Sequence, residues 1–306
     1  MLRRSPDLWL FLLVAFGLSW LFTLPVWLSD TPVGTPLFTV AGLAMMFTPT
    51  LGVLAVRLYT RRLGDPASGR EWAVRTGLSA GGSRGRVFAL IALAWFGVPV
   101  LVVAATALSA ALGLFSVDLR EFSLFRQGLA AVPGGQPPVE IGVLLAAQLA
   151  SMLLVAPLIN SVAAFGEEWG WRGWLLPRLM PLGTGRALLV SGVIWGLWHF
   201  PLTLRGYNYP ELGAWAAPMF IVFCVAFGAL LGWLRLRSGS VWPAVVGHGS
   251  LNASAGLMLL IGDAADPPVF AVAGITGLLG SVLLAVVSAL LFAYRPVERP
   301  VPAAVT

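Results

Sequence analysis

The sequence contains no lysine, and charged residues make up only 10% of its 306 positions, whereas 58% are hydrophobic. A soluble domain carries about 25% charged residues, so this composition excludes an ordinary soluble protein and predicts an integral membrane protein. The net charge of +6 comes from 19 arginines that cluster between apolar runs. Because they form no basic patch interleaved with aromatic side chains, nucleic acid is not a predicted partner.

Cysteine and histidine are also scarce. Cys224 is the single cysteine of the chain and lies in an apolar run. An intrachain disulfide is therefore excluded, and a buried packing role is expected for this thiol. The chain has two histidines, both inside apolar segments. A histidine there is costly and usually marks a site or a pathway.

Long apolar runs dominate the sequence. A membrane-spanning helix needs about 20 mostly apolar residues, and eight segments meet this need: 8–28, 38–59, 87–115, 141–165, 187–204, 214–234, 241–262 and 269–293. They predict an all-α polytopic membrane helix bundle that forms a single domain over residues 1–306, with a short tail at 295–306. The first segment shows no small-residue cleavage site after it, so we expect an uncleaved span.

The fourth segment is too long for one straight helix. Its apolar character continues past Gly166 to Leu179. Pro157 is expected to kink it, because proline removes a helical hydrogen bond. The continuation, Trp169 to Met180, is expected to form an interfacial or re-entrant helix.

The arginines also predict an orientation. Sixteen of the 19 fall at the N-terminus, at 57–86, at 172–186, at 235–237 and in the C-terminal tail. The gaps on the opposite side hold only Arg120, Arg126 and Arg205. By the positive-inside rule both termini are cytoplasmic, in a multi-pass protein of the plasma membrane. An even number of spans agrees with this. We find no internal repeat of the kind that many transporters contain.

Polar side chains that could carry chemistry are concentrated between residues 160 and 255. Glu167 and Glu168 border the fourth apolar segment, and Arg172 is four residues after Glu168, so these two share a helix face and can form an ion pair. Glu167 is rotated by about 100° from its neighbour, which leaves its carboxylate free. Further along, His199 follows Trp195 by four residues, as Asn252 follows His248. The list of candidates is therefore Glu167, Glu168, Arg172, Trp195, His199, His248 and Asn252.

Together these groups can hydrolyse an acyl bond. A carboxylate can deprotonate a water, imidazoles can hold it, and an amide can stabilise an oxyanion. Each of these residue pairs, taken by itself, also has a purely structural interpretation. A glutamate–arginine pair is common at helix ends, and a histidine with an asparagine can join helices by hydrogen bonds. The structural interpretations do not explain why both histidines of the chain follow a double glutamate, each with a partner four residues away.

The order of the motifs resembles the CAAX protease and bacteriocin-processing (CPBP, or Abi) family of intramembrane proteases. Here the motifs read EEWGWR from Glu167 to Arg172, WGLWH from Trp195 to His199, and HGSLN from His248 to Asn252. Phenylalanine is usual where this chain has Trp195. The resemblance covers residues 160–255, which we take as the catalytic motif core, and the topology is similar to that of the family's CAAX prenyl protease.

The resemblance implies a role for each residue. Glu167 would activate the attacking water with the help of His199, and His248 and Asn252 would stabilise the oxyanion. Glu168 and Arg172 would support the site. The implied substrate is a peptide or a lipidated, for instance prenylated, protein in the bilayer. No cofactor is favoured, although Glu167, His199 and His248 could serve as zinc ligands. Against zinc, the chain has no HExxH motif.

Three other functions stay open at this stage. A catalytically silent bacteriocin-immunity or scaffold protein would have the same fold, but has no chemical need for Glu167. A transporter would be expected to show repeated halves. A polyprenyl transferase would need aspartate-rich motifs, and the nearest candidate, Asp263 with Asp266, lies in a predicted outer loop.

Overall fold

The computed structural model describes residues 5–81, 83–131 and 139–297. Over these residues the chain is helical, with isolated β-bridges and no strand, which confirms the all-α prediction. The α-helices are α1 (Pro6–Leu28), α2 (Pro36–Met46), α3 (Thr48–Arg62), α4 (Gly69–Arg75), α5 (Arg84–Ala111), α6 (Ser123–Ala130), α7 (Ile141–Leu154), α8 (Ala156–Glu168), α9 (Leu176–Leu179), α10 (Thr184–Trp198), α11 (Phe200–Thr203), α12 (Ala216–Ser238), α13 (Trp242–Ser254), α14 (Leu257–Ile261) and α15 (Leu278–Tyr294). A π-helix (Trp169–Leu175) joins α8 to α9, and 3-10 turns occupy Met180–Leu182 and Pro210–Trp215.

The predicted number of eight spans is not confirmed. Within the described residues, five helical segments are long and apolar enough to cross a membrane: Pro6–Leu28, Pro36–Arg62, Arg84–Ala111, Pro210–Ser238 and Trp242–Ile261. A bent pair from Ile141 to Leu182 would make a sixth. Two predicted spans are shorter than expected. Helix α10 has 15 residues, about 22 Å at 1.5 Å per residue, because His199 and Pro201 interrupt it. Helix α15 begins only at Leu278, after a turn in which Gly274 has a positive φ.

The bend in the fourth span lies where proline predicted it. Helix α7 ends at Leu154, and the helical segment that follows it, Ala156–Leu182, is bent by 47° relative to α7. Pro157 has no N–H, so it cannot bond a carbonyl in the preceding turn. The carbonyl of Leu153, four residues earlier, instead accepts a hydrogen bond of 2.7 Å from Trp95 Nε1. The carbonyl group left without a helical partner at the break is thus hydrogen-bonded by a side chain of the neighbouring helix α5. The continuation after Glu168 is not a separate interfacial helix, since it runs on through the buried π-helix.

Small residues bring the central helices together. A Cβ on Gly249 of α13 would lie 2.7 Å from the carbonyl oxygen of Pro157 and 2.5 Å from Ser161 Oγ, so α13 packs backbone to backbone on α8. Gly192 and Gly196 of α10 approach α12 equally closely. Such small-residue contacts are typical of packing between membrane helices. The outer surfaces of the helices expose large apolar side chains, as a lipid-facing surface requires. Most of the predicted tail, from residue 298, lies outside the described residues.

Candidate active site

The double glutamate lies where α8 passes into the π-helix, and glycines let this stretch become fully buried. A Cβ on Gly166 would lie 2.6 Å from the carbonyl oxygen of Met46, and one on Gly173 would lie 2.7 Å from that of Thr76. Gly170 is similarly close to Pro49. A side chain at any of these positions would push the segment away from the neighbouring backbone. The π-helix itself is uncommon, and such turns are often found at functional sites.

Glu168 is fully buried and is held by two donors. Its Oε1 accepts a hydrogen bond of 2.9 Å from a guanidinium nitrogen of Arg172 and another of 2.9 Å from Nδ1 of His248. The contact with Arg172 follows the predicted spacing of four residues. The contact with His248 was not predicted from the sequence, because the two residues are 80 positions apart. This carboxylate therefore ties α8 and the π-helix to α13.

Glu167 points to different partners. Its Oε2 accepts a hydrogen bond of 2.7 Å from the indole nitrogen of Trp195. The same indole ring lies 4.0 Å from the Arg172 guanidinium carbon, and it packs edge-on against both His199 and His248. Trp195 thus contacts Glu167, Arg172 and both histidines, a central position that its place in the motif did not reveal.

Both histidines are fixed by hydrogen bonds at Nδ1. That of His199 lies 2.8 Å from the carbonyl oxygen of Trp195, and that of His248 lies against the Glu168 carboxylate. A carbonyl and a carboxylate can only accept, so Nδ1 carries the proton in each case. Nε2 of the neutral ring is then an unprotonated acceptor. Cys224 is buried, as predicted, with its Sγ 3.9 Å from Nδ1 of His199.

One cavity of about 430 Å³ brings the predicted residues together. Glu167, Trp195, His199, His248 and Asn252 all line it. Glu168 and Arg172 lie behind them and do not line it. Glu167 and His199 meet at this cavity, where α10 ends at Trp198 and His199 caps it. Apolar side chains such as Phe38, Met46, Phe220 and Leu251 form the remaining walls.

Among the polar lining residues that were missed in the sequence are Asn160 and Tyr207. Asn160 lies seven residues before Glu167, so both lie on the same face of α8 and both line the cavity. The spacing alone could have identified it. Tyr207 lines the cavity from the loop after α11; this loop carries no periodicity that would have indicated it. A carboxamide and a hydroxyl can each hydrogen-bond a peptide group.

The proposed zinc ligands share a cavity but do not form a ligand set. Among the residues that the structure describes, no three histidine, cysteine, aspartate or glutamate side chains are grouped closely enough to hold a metal ion. In metal sites, the ring nitrogen of a histidine that does not bind the metal commonly donates a hydrogen bond to a carbonyl or carboxylate. Both histidines meet this condition. However, Oε2 of Glu167 already accepts the hydrogen bond of Trp195, which leaves only Oε1 for a metal.

These features define a polytopic helical membrane protein with a buried glutamate–histidine site that faces an internal cavity. Comparison with known sequences agrees with this class. Residues 148–254 match the sequence model of the family described as Type II CAAX prenyl endopeptidase Rce1-like. The chain is also similar to CAAX prenyl protease 2 of Methanococcus maripaludis, with 29% identity over 108 residues, which cover 33% of this chain and 40% of the relative. The resemblance predicted from the three motifs is confirmed over this segment.

A second similarity involves more of the chain. Monocarboxylate transporter 11 of Mus musculus is 29% identical over 280 residues, which cover 77% of this chain and 58% of the transporter. The chain therefore spans less than two thirds of either relative. The glutamate and histidine motifs lie within the segment that matches the endopeptidase family.

Proposed function

We propose that this protein is an intramembrane endopeptidase that hydrolyses a peptide bond in a membrane-associated protein or peptide, for instance a prenylated one. A single observation carries the proposal. Glu167 faces the cavity shared with His199, His248 and Asn252, whereas the charge of the adjacent Glu168 is compensated by Arg172. One carboxylate is thereby free to act as a base beside one that is fixed.

In the proposed reaction Glu167 removes a proton from a water molecule that Nε2 of His199 helps to hold. The resulting hydroxide attacks the scissile carbonyl, and the negative charge develops on the carbonyl oxygen. Asn252 donates its amide N–H to this oxygen. His248 can donate to it only when both ring nitrogens are protonated, because Nδ1–H is already bonded to Glu168 and Nε2–H must then be the donor. Glu167 finally gives the proton to the amide nitrogen as the tetrahedral intermediate collapses and the C–N bond breaks, which releases the amine and a carboxylic acid.

Cleavage of a peptide panel tests this function directly. Detergent-purified protein is mixed with matched lipidated and unlipidated peptides, with and without a metal chelator. We expect cleavage that persists in chelator, since the donor set does not fit a three-ligand metal site. Loss of cleavage in chelator, restored by added zinc, would contradict metal-independent hydrolysis. Absence of cleavage across the panel would instead favour the silent immunity or scaffold protein.

We also propose that the arginine-rich ends of the helices face the cytoplasm, in the plasma membrane. Leu63 lies at that end and Leu119 lies in a loop on the opposite side, and both are exposed. In intact cells an impermeant thiol reagent should label a Leu119→Cys variant, but should label Leu63→Cys only after lysis. The native Cys224 is fully buried, so the background is low. The reverse labelling pattern would show that the arginine-rich ends face the outside of the cell.

Trp195 is proposed to orient Glu167, and replacing it by phenylalanine isolates its N–H group. A hydrogen bond to a charged group contributes about 1.5–3 kcal/mol, so Trp195→Phe should lower kcat/KM by about 10- to 100-fold while the protein stays folded. Trp233→Phe is the matched control, because that buried indole donates to the carbonyl of Arg295, away from the cavity. If Trp195→Phe cleaves as fast as the control, the N–H group does not contribute to catalysis. An aromatic ring at this position is then sufficient, as in the usual family motif.

A further inference from the structure

A second cavity lies at the arginine-rich end of the bundle, and the proposed reaction makes no use of it. It has a volume of about 510 Å³ and opens between the end of α3, helix α4 and the π-helix with α9. We call it the arginine-end cavity. The residues that matter for its chemistry are Arg75, Arg178, Trp72, Trp174, Thr76 and Asp65.

The lining of the arginine-end cavity carries two arginines, Arg75 and Arg178, and one carboxylate, Asp65, which is an excess of one positive side chain. Asp65 is paired with Arg57, and the backbone N–H of Ala67, helped by this arginine, holds the pKa of Asp65 below its ordinary value. Arg178 is paired with Asp7. Arg75 is exposed and forms no ion pair with a carboxylate within the described residues, although its charge acts on the nearby Asp65 and Glu71. The cavity is therefore suited to an anion rather than to a cation or an apolar group.

The tryptophans place this cavity at a membrane–water boundary. Arg178 lies over the ring of Trp174 at 4.6 Å, and Arg57 lies over the ring of Trp72 at 4.9 Å. Tryptophan and arginine together are typical of the headgroup level of a bilayer. The indole nitrogen of Trp72 is buried beside the cavity and has no acceptor within the described part of the chain.

We propose that the arginine-end cavity binds the phosphate group of an anionic phospholipid, with Arg75 as its main charged contact. Basic clusters next to membrane helices attract anionic lipids in this way. The arginine-end cavity also borders the π-helix that carries part of the proposed active site. Its lining includes Gly173, whose Cβ position lies 2.7 Å from the carbonyl oxygen of Thr76, and Gly173 follows Arg172 in the π-helix. A bound phosphate joins α4 to this turn and so stabilises the segment that holds Glu168.

Lipid-dependent thermal stability of the full chain tests the proposal without any activity assay, so its outcome is independent of the proposed protease function. The melting temperature is measured in detergent with added phosphatidylglycerol, phosphatidylcholine or inorganic phosphate. We expect phosphatidylglycerol to raise the melting temperature of the wild type and to have little effect on Arg75→Gln. Arg62→Gln is the matched control, since Arg62 is exposed on the same end of α3 and does not line the cavity. It should respond as the wild type does.

The remaining outcomes are distinct. Equal loss of the response in Arg75→Gln and Arg62→Gln would show diffuse surface attraction and overturn the site. An equal response to phosphatidylcholine would overturn the requirement for negative charge. A response to inorganic phosphate as large as that to the lipid would assign the cavity to free phosphate and overturn the lipid. If Arg75→Gln does not fold, Arg178→Gln serves as the second variant, and native mass spectrometry counts retained phosphatidylglycerol in each protein.

Discussion

Replacing Glu167 by glutamine is expected to abolish peptide cleavage by the purified protein while leaving its melting temperature nearly unchanged. Glutamine has the shape of glutamate and keeps an acceptor oxygen for the Trp195 N–H, which now lies 2.7 Å from Glu167 Oε2. It cannot take a proton from water. A general base contributes about 10²–10⁴-fold to a rate, so the residual activity should fall below detection in a slow assay.

Two further variants sharpen the interpretation of Glu167→Gln. Glu140→Gln makes the same change at an exposed position before α7 and should retain full activity. Glu168→Gln removes the charge that compensates the buried Arg172, so it should reduce the melting temperature as well as the rate. If Glu167→Gln cleaves at the wild-type rate, or if only Glu168→Gln is inactive with normal stability, the base is not Glu167.

The secondary structure class and the three motifs could be predicted because each depends on local sequence. Low charge and long apolar runs suffice for a helical membrane protein, and a separation of four residues places Glu168 beside Arg172 whatever else the chain does. The bend at Pro157 is equally local. These features need no knowledge of how the helices pack.

Features that depend on packing were not predictable. Hydropathy does not show that α10 stops after 15 residues or that α15 starts late, so eight spans were expected where the described part of the chain has five or six. The bond between His248 and Glu168 requires α13 to lie on α8, which the small residues around Gly249 permit. The central place of Trp195 likewise emerges only when α8, α10 and α13 surround one cavity. One signal was available and overlooked: Asn160 is seven residues from Glu167, on the same helix face.

Replacing Arg172 by alanine should lower both the melting temperature and the activity. Arg172 is 1% exposed and Glu168 is fully buried, so the change leaves a buried carboxylate with one donor, His248. Breaking a buried ion pair from one side costs about 3–5 kcal/mol. The guanidinium also fills the space beside the Trp195 ring, at 4.0 Å. Its loss therefore loosens the residue that holds Glu167.

A double-mutant cycle separates these two effects of Arg172. Glu168→Gln combined with Arg172→Ala removes both charges, so it should recover part of the stability lost by Arg172→Ala alone, because no buried charge is left without a partner. Activity should not recover, since the support for Trp195 is still missing. Arg205→Ala is the control, because it removes one side of an ion pair whose other member, Asp30, is largely exposed. Exposed ion pairs contribute about 0–1 kcal/mol to stability. An unchanged melting profile for Arg172→Ala would mean that Glu168 is not held as a charged group, and that its proton rather than Arg172 neutralises it.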